Sequence, residues 1–348
     1  MSTALLMRLH DEKAYEAMPF IEGQLCRRAF WGLYTGCQAS CFLGDHPSIF
    51  NKRLFFGVTV PKYPEEFGPE DHATIRQHDG RQQSISILTG FNANQDLWRA
   101  AENLLQAVRE RDSVGTSDSR PATLYLKFYA ILDDLPTALR FHDSVDITLE
   151  EFSFADQGDH QPRVPQALTI QRTNLHISHQ YLKLFFLRNY SFLGLNNPLA
   201  LPAVSNLPLM TDSGMSLSLS ETMATSPASR ISSHNDPHAP SQTDHSQSQR
   251  GLGPWLARQI LQVAEDMLYV IHLSELNSLR LNGEPCTEKI RRVAASVLDV
   301  LAQDVIDAPL MERAVNLREL YPHLLARLKS KASDERRSTA AGSSIANT

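Results

Sequence analysis

Residues 20–43 read Phe20-Ile21-Glu22-Gly23-Gln24-Leu25-Cys26-Arg27-Arg28-Ala29-Phe30-Trp31-Gly32-Leu33-Tyr34-Thr35-Gly36-Cys37-Gln38-Ala39-Ser40-Cys41-Phe42-Leu43. Ile21, Leu25, Ala29, Leu33 and Cys37 recur every four residues, the spacing of one face of an α-helix. Phe30, Tyr34 and Cys41 form a flanking stripe, and Arg27 and Arg28 sit between the apolar positions near the helix start. Gly44-Asp45-His46-Pro47 stops the helix. The four-residue stripe is the expected core face, and Trp31 is expected to bury a large apolar area.

Working outward, the same helical period returns repeatedly. Leu97, Ala101, Leu104, Leu105 and Val108 make an apolar face within 94–109, and a further helix is expected over about 122–132. A long apolar helix covers 167–193, with Leu168, Leu175, Tyr181, Leu182, Phe185 and Phe186. Helices resume over 254–272, 286–304 and 310–331. Between Pro61 and Gly90, prolines, glycines and charges interrupt any period, which reads as loop with short helical turns. Ser84 to Leu88 alternates briefly but is short and isolated, so no strand is expected. Ser, His, Asn, Asp, Pro and Gln dominate 226–249, too polar to offset the entropy of ordering. The expected architecture is all-α: a multi-helix regulatory domain with its first part in 1–197, a disordered linker over 198–253, carboxy-terminal helices of the same domain in 254–331, and a loose tail over 332–348. Three helices alone make a small core, so the second group is expected to pack on the first.

Composition narrows the function classes. The chain has 348 residues, 42% of them hydrophobic and 21% charged, with a formal net charge of −6. An acidic balance of this size gives no overall field toward nucleic acid or an anionic membrane. Four cysteines, Cys26, Cys37, Cys41 and Cys286, are too few and too scattered for a secreted disulfide scaffold. No apolar run reaches the roughly 20 residues of a membrane helix.

Chemical motifs are sparse. His176 and His179 lie three apart on a helix and could share a metal-binding face, but the apolar surroundings and the missing third ligand favour structural or surface histidines. Cys37 and Cys41 share a helix face without the second pair that a zinc site needs, and read as small buried thiols. Asp133 and Asp134 are adjacent and point in different directions, a poor acid–base pair and a good solvated turn. There is no glycine-rich phosphate loop, nucleophile elbow or dinucleotide fingerprint. No enzyme, cofactor or metal is therefore expected. The basic pairs Arg27-Arg28, Arg291-Arg292 and Arg336-Arg337 are too small for a phosphate-binding stripe.

Cys26-Arg27-Arg28-Ala29-Phe30-Trp31-Gly32-Leu33-Tyr34 resembles a hallmark segment of the fungal-specific transcription factor domain, the regulatory region of fungal binuclear zinc-cluster factors. Leu9-His10-Asp11 ahead of it and the turn Pro47-Ser48-Ile49 after it are similar to the flanks of that segment. Gln171 to Tyr181 resembles a later helix of the family, and Leu276 to Gly283 followed by Glu288 to Ala295 resembles a carboxy-terminal helix pair joined at an Asn-Gly turn. The order of these segments, over about 5–305, carries the resemblance. It implies an all-helical regulator in the nucleus, with Arg27, Arg28, Phe30 and Trp31 as a structural motif.

The chain departs from the family pattern in two ways. Four cysteines cannot supply the six ligands of a binuclear zinc cluster, and none form a Cys-x-x-Cys pair. The sequence also begins almost at the arginine–tryptophan helix, where family members carry earlier helices. Direct DNA binding is not expected. The expected function is regulation of a pathway-specific gene set, such as a secondary-metabolite cluster, through contacts with other transcription regulators or promoter-bound factors. A small-molecule effector and a homodimer are further expected partners. Two alternatives stand beside this: a fragment of a full zinc-cluster factor, and a helical ligand-binding protein or enzyme.

Overall fold

A computed structural model describes residues 2–44, 54–76, 82–114, 119–141, 166–189, 253–303 and 307–328. The expected linker up to residue 252 and the expected tail lie outside these residues, as does the Arg336-Arg337 pair. The described residues hold nine α-helices and one two-stranded sheet, so the fold is all-α.

In chain order the helices are α1 (Ser2–Leu6), α2 (Phe20–Gly44), α3 (Leu88–Val114), α4 (Arg120–Tyr129), α5 (Gln166–Asn189), α6 (Pro254–His272), α7 (Leu276–Leu281), α8 (Gly283–Leu301) and α9 (Ala308–Arg327). Several ends follow from local chemistry. Pro121 and Pro254 occupy first-turn positions of α4 and α6, where a missing N–H is harmless. Asp307 caps α9 by accepting the Leu310 N–H at 3.0 Å. Gly283, at φ 70°, makes the left-handed turn between α7 and α8 that a side chain would resist. Among the described residues no helix is long and apolar enough to cross a membrane.

α5 is the central element. It packs against α3, α6, α7 and α8, and its side chains are buried almost all round, including Leu168, Leu175, Leu182 and Phe186. A helix covered on every side loses the one-sided pattern of a surface helix. The described residues before 190 and after 252 belong to one compact unit. Thr173 Oγ1 donates to Ser274 Oγ at 3.1 Å, and the Asn282 amide donates to the Ile170 carbonyl at 3.1 Å. Arg188 pairs with Asp299 at 2.8 Å.

Two expectations are corrected here. First, the loop expected over 61–90 contains an antiparallel hairpin, β1 (His72–Arg76) with β2 (Gln82–Ser86), in register Ala73 to Ile85 and Ile75 to Gln83. Ala73, Ile75 and Ile85 are buried. Three inward side chains over ten residues are too few to show a strand period in the sequence. Second, α2 buries the opposite face from the one its four-residue stripe suggested. Phe30, Trp31, Tyr34, Gln38 and Phe42 face the core, while Ile21, Leu25 and Leu33 are exposed. The aromatic stripe removes more apolar area per residue than the aliphatic one, and area decides which face turns inward.

Candidate functional site

Glu12, in a 3-10 turn over Glu12–Tyr15, and the segment from Thr59 to Asp71 have little regular backbone bonding of their own. The arginine–aromatic motif of α2 holds both. Arg27 forms an ion pair with Glu12 and lies over the Tyr15 ring, 4.4 Å from its centroid. Arg28 pairs with Asp71 at 2.7 Å and stacks on Phe67 at 3.9 Å. Each guanidinium thus meets a carboxylate and an aromatic face, a use that a lysine ammonium would serve poorly. Asp71 also accepts the Phe67 N–H at 2.6 Å. The Arg28 hydrogen bond holds its carboxyl below the usual carboxylate range.

The rest of the motif completes the clamp. The Trp31 indole N–H donates to the Lys62 carbonyl at 3.0 Å, and Glu12 accepts the Lys62 N–H at 2.8 Å. Gln24, buried on the same helix, accepts the Glu65 N–H at 2.6 Å. Trp31 meets Phe30, Tyr34 and Tyr63 edge to face, with centroids 5.3, 5.3 and 4.9 Å apart. The Tyr34 hydroxyl donates to Glu102 of α3 at 2.6 Å. Arg27 and Arg28 therefore each place one guanidinium N–H on a carboxylate of this chain, Trp31 places its indole N–H on a backbone carbonyl, and Phe30 is fully buried, while the Nε atoms of both arginines are buried without a hydrogen-bond partner.

A second polar constellation runs along α5. His176 donates from Nε2 to the Leu139 carbonyl at 2.9 Å, and His179 from Nε2 to the Phe128 carbonyl at 3.2 Å. Each ring also meets an aromatic, Phe141 for His176 and Phe128 for His179. Burial pushes the His176 imidazole down to about 4 and His179 well below the normal histidine range. The two rings stitch α5 to separate elements instead of converging on one point. Among the described residues no three His, Cys, Asp or Glu side chains gather as a metal site would require.

Lys183, one turn beyond His179, is buried with its ammonium 4.0 Å from the centroid of Tyr129. Burial lowers its pKa, while Asp266 and Asp133 act in the opposite sense. Lys289 of α8 differs. It is 3% exposed, donates to Ser178 Oγ at 2.7 Å and lies 5.2 Å from the Trp98 centroid. No carboxylate among the described residues pairs with it, and burial brings its amine down to about 8. The apolar neighbours on both sides of Lys183 were the one sequence signal that it faces inward, and Lys289, in a charged stretch of α8, carried none.

The remaining sequence candidates are dispersed. Cys286 is buried, with its thiol pushed up to about 11, and Cys37 and Cys41 on α2 are half-buried. Asp133 and Asp134 lie exposed in the turn after α4. Arg291 pairs with Glu284 at 3.3 Å and Arg292 with Glu288 at 3.0 Å along α8, which makes them a solvated helix face. No protein-family model, no curated protein and no solved structure matches the chain.

Proposed function

We propose that the chain is the helical regulatory domain of a transcription regulator, acting in the nucleus on a pathway-specific gene set, such as a secondary-metabolite cluster, through protein contacts. One observation carries this reading. The three segments that resemble the fungal-specific transcription factor domain lie far apart in sequence and pack into one core. Ser178 in the second segment receives Lys289 from the third at 2.7 Å. Tyr181 of the second donates to the Phe42 carbonyl of α2, the helix that carries the first, at 2.7 Å. A shared core is what a common ancestral domain would preserve. The motif arginines favour protein contacts over DNA contacts in this reading, because each guanidinium already pairs with a carboxylate of this chain, Glu12 or Asp71. The formal charge of −6 favours the same choice.

Deletion of the gene followed by transcript profiling tests the proposal. A coherent, co-located set of transcripts should fall or rise together. A deletion strain whose transcripts match the parent under conditions where the protein is expressed would sink it.

A further inference from the structure

Four basic side chains share one stripe of α5. Arg172, His176, His179 and Lys183 follow one another at spacings of four, three and four residues, which places them on one face over about three turns. All four meet the same stretch of chain, from Phe128 in the last turn of α4 to Phe141. Arg172 lies over the Phe141 ring, 4.6 Å from its centroid. His176 donates to the Leu139 carbonyl and meets that same ring at 4.8 Å. His179 donates to the Phe128 carbonyl, with the Phe128 ring 5.1 Å away. Lys183 stands over Tyr129 at 4.0 Å. The two imidazoles thus hold opposite ends of one stretch. Between those ends Leu132, Leu135 and Ala138 are buried, and the 3-10 turn over Thr137–Leu139 packs on α5.

The stripe is short of negative charge. Among the described residues, Glu275 ahead of α7 acts on Arg172 only at a distance, and Asp133 and Asp266 act in the same way on Lys183. The charges that act on the imidazoles are cationic: Arg172 and Lys183 on His176, Lys183 and His176 on His179. The other elements around α5 bring no carboxylate to them. Glu265 of α6 pairs with Arg313, Glu102 of α3 accepts from Tyr34, and Lys289 of α8 donates to Ser178. On the stretch itself Lys127, Asp133, Asp134 and Arg140 are exposed, and burial keeps the Tyr129 hydroxyl protonated. Each ring already donates through Nε2, so a further proton goes to Nδ1. It creates a buried cation beside fixed cations, with no anion to meet it.

We infer that the stretch from Phe128 to Phe141 is an acid-sensitive latch, held on α5 by two neutral imidazoles and released when they take up protons. Release leaves α5 packed against α3, α6, α7 and α8, so the core outlasts the opening of the stripe. The size of the effect follows from linkage. The His176 ring titrates at about 4 when the stretch is in place and at about 6.5 once it is hydrated. That difference raises the released population roughly 20-fold between pH 7 and pH 5. His179 is shifted in the same direction, and the two rings together give roughly 400-fold.

Hydrogen exchange of the full chain at pH 7 and pH 5, corrected for the intrinsic rate at each pH, tests the latch. Protection over 120–141 should fall by roughly 100-fold or more at pH 5, while α6, α8 and α9 keep theirs and the helical circular dichroism is unchanged. His176→Gln and His179→Gln should each reduce the acid response to that of the remaining ring, roughly 20-fold. The double variant should abolish it. Glutamine alters the docked stretch alike at both pH values, so the ratio between them is the readout. Equal protection of 120–141 at pH 7 and pH 5 overturns the proposal. A loss spread evenly over α6, α8 and α9 also overturns it, as does an acid response that the double variant retains in full.

Discussion

His176 shows how a single buried base sets a pH response. Its imidazole is neutral in the folded protein, donates to the Leu139 carbonyl at 2.9 Å, and has its pKa brought down to about 4 by burial. The unfolded chain holds the same group at its ordinary value of about 6.5. Above pH 6.5 both states are neutral and the histidine contributes no pH dependence. Between 6.5 and 4 the unfolded state binds the extra proton, so stability is lost progressively as the pH falls. The loss is about 1.4 kcal/mol for each pH unit below 6.5. His179 is shifted in the same direction by the same cause and steepens the slope. The melting temperature should therefore fall clearly between pH 7 and pH 5. His176→Gln, which keeps a donor for the Leu139 carbonyl and cannot titrate, should flatten that slope while lowering stability at pH 7 only modestly. A melting temperature that is level from pH 7 to pH 5 would mean that the imidazole is accessible in the folded state.

At the scale of elements, α2 works as a clamp through one end of its buried face. Arg28 joins Asp71 and Phe67, and Asp71 in turn accepts the Ile87 N–H through its carbonyl at 2.8 Å, at the exit of β2. The hairpin is thus tied to α2 through one residue whose side chain is 4% exposed. Arg28→Ala leaves that carboxylate buried without its cation, a loss of about 2 kcal/mol. Hydrogen exchange should accelerate in β1, β2 and the segment from Thr59, with α8 and α9 unchanged. Arg28→Lys should restore only part of the protection, since an ammonium lacks the planar stack on Phe67. Equal acceleration across all helices would show instead that Arg28 supports the core as a whole. The same helix shows what the sequence could and could not disclose. Its span was legible from the four-residue spacing, and the importance of Arg27, Arg28, Phe30 and Trp31 from their unusual grouping. The direction it faces was legible only in part: Trp31 was expected to be buried and is, but an aliphatic stripe competed with the aromatic one on the same helix, and side-chain area decided between them. Glu12 and Asp71, the partners of the two arginines, were not legible either, since nothing local to 12 or 71 records a contact with 27 or 28. The hairpin was hidden for a related reason: two five-residue strands carry too few inward positions to show a period.

The molecule as a whole depends on a helix that neither half can bury alone. α5 belongs to the first part of the chain, yet it packs against α6, α7 and α8 from beyond residue 252. Leu175 and Leu182 are fully buried, and three hydrogen bonds cross the divide, from Thr173 to Ser274, from Asn282 to Ile170 and from Lys289 to Ser178. Separating the halves uncovers several large apolar side chains along α5, each worth about 1.5 to 3 kcal/mol when buried. That sum exceeds the total stability of an ordinary domain. Lys289 adds a directional element, because its ammonium finds Ser178 only when α8 lies against α5. Residues 1–197 and 254–331 expressed as separate polypeptides should therefore each lack a cooperative melting transition. Co-expressed, they should co-purify and regain one. The Leu182→Glu variant, which places a charge in the shared core, should abolish the recovery. A sharp, independent transition in the 1–197 piece alone would show that α3 and α4 suffice to bury α5, and that the carboxy-terminal helices dock onto a finished core.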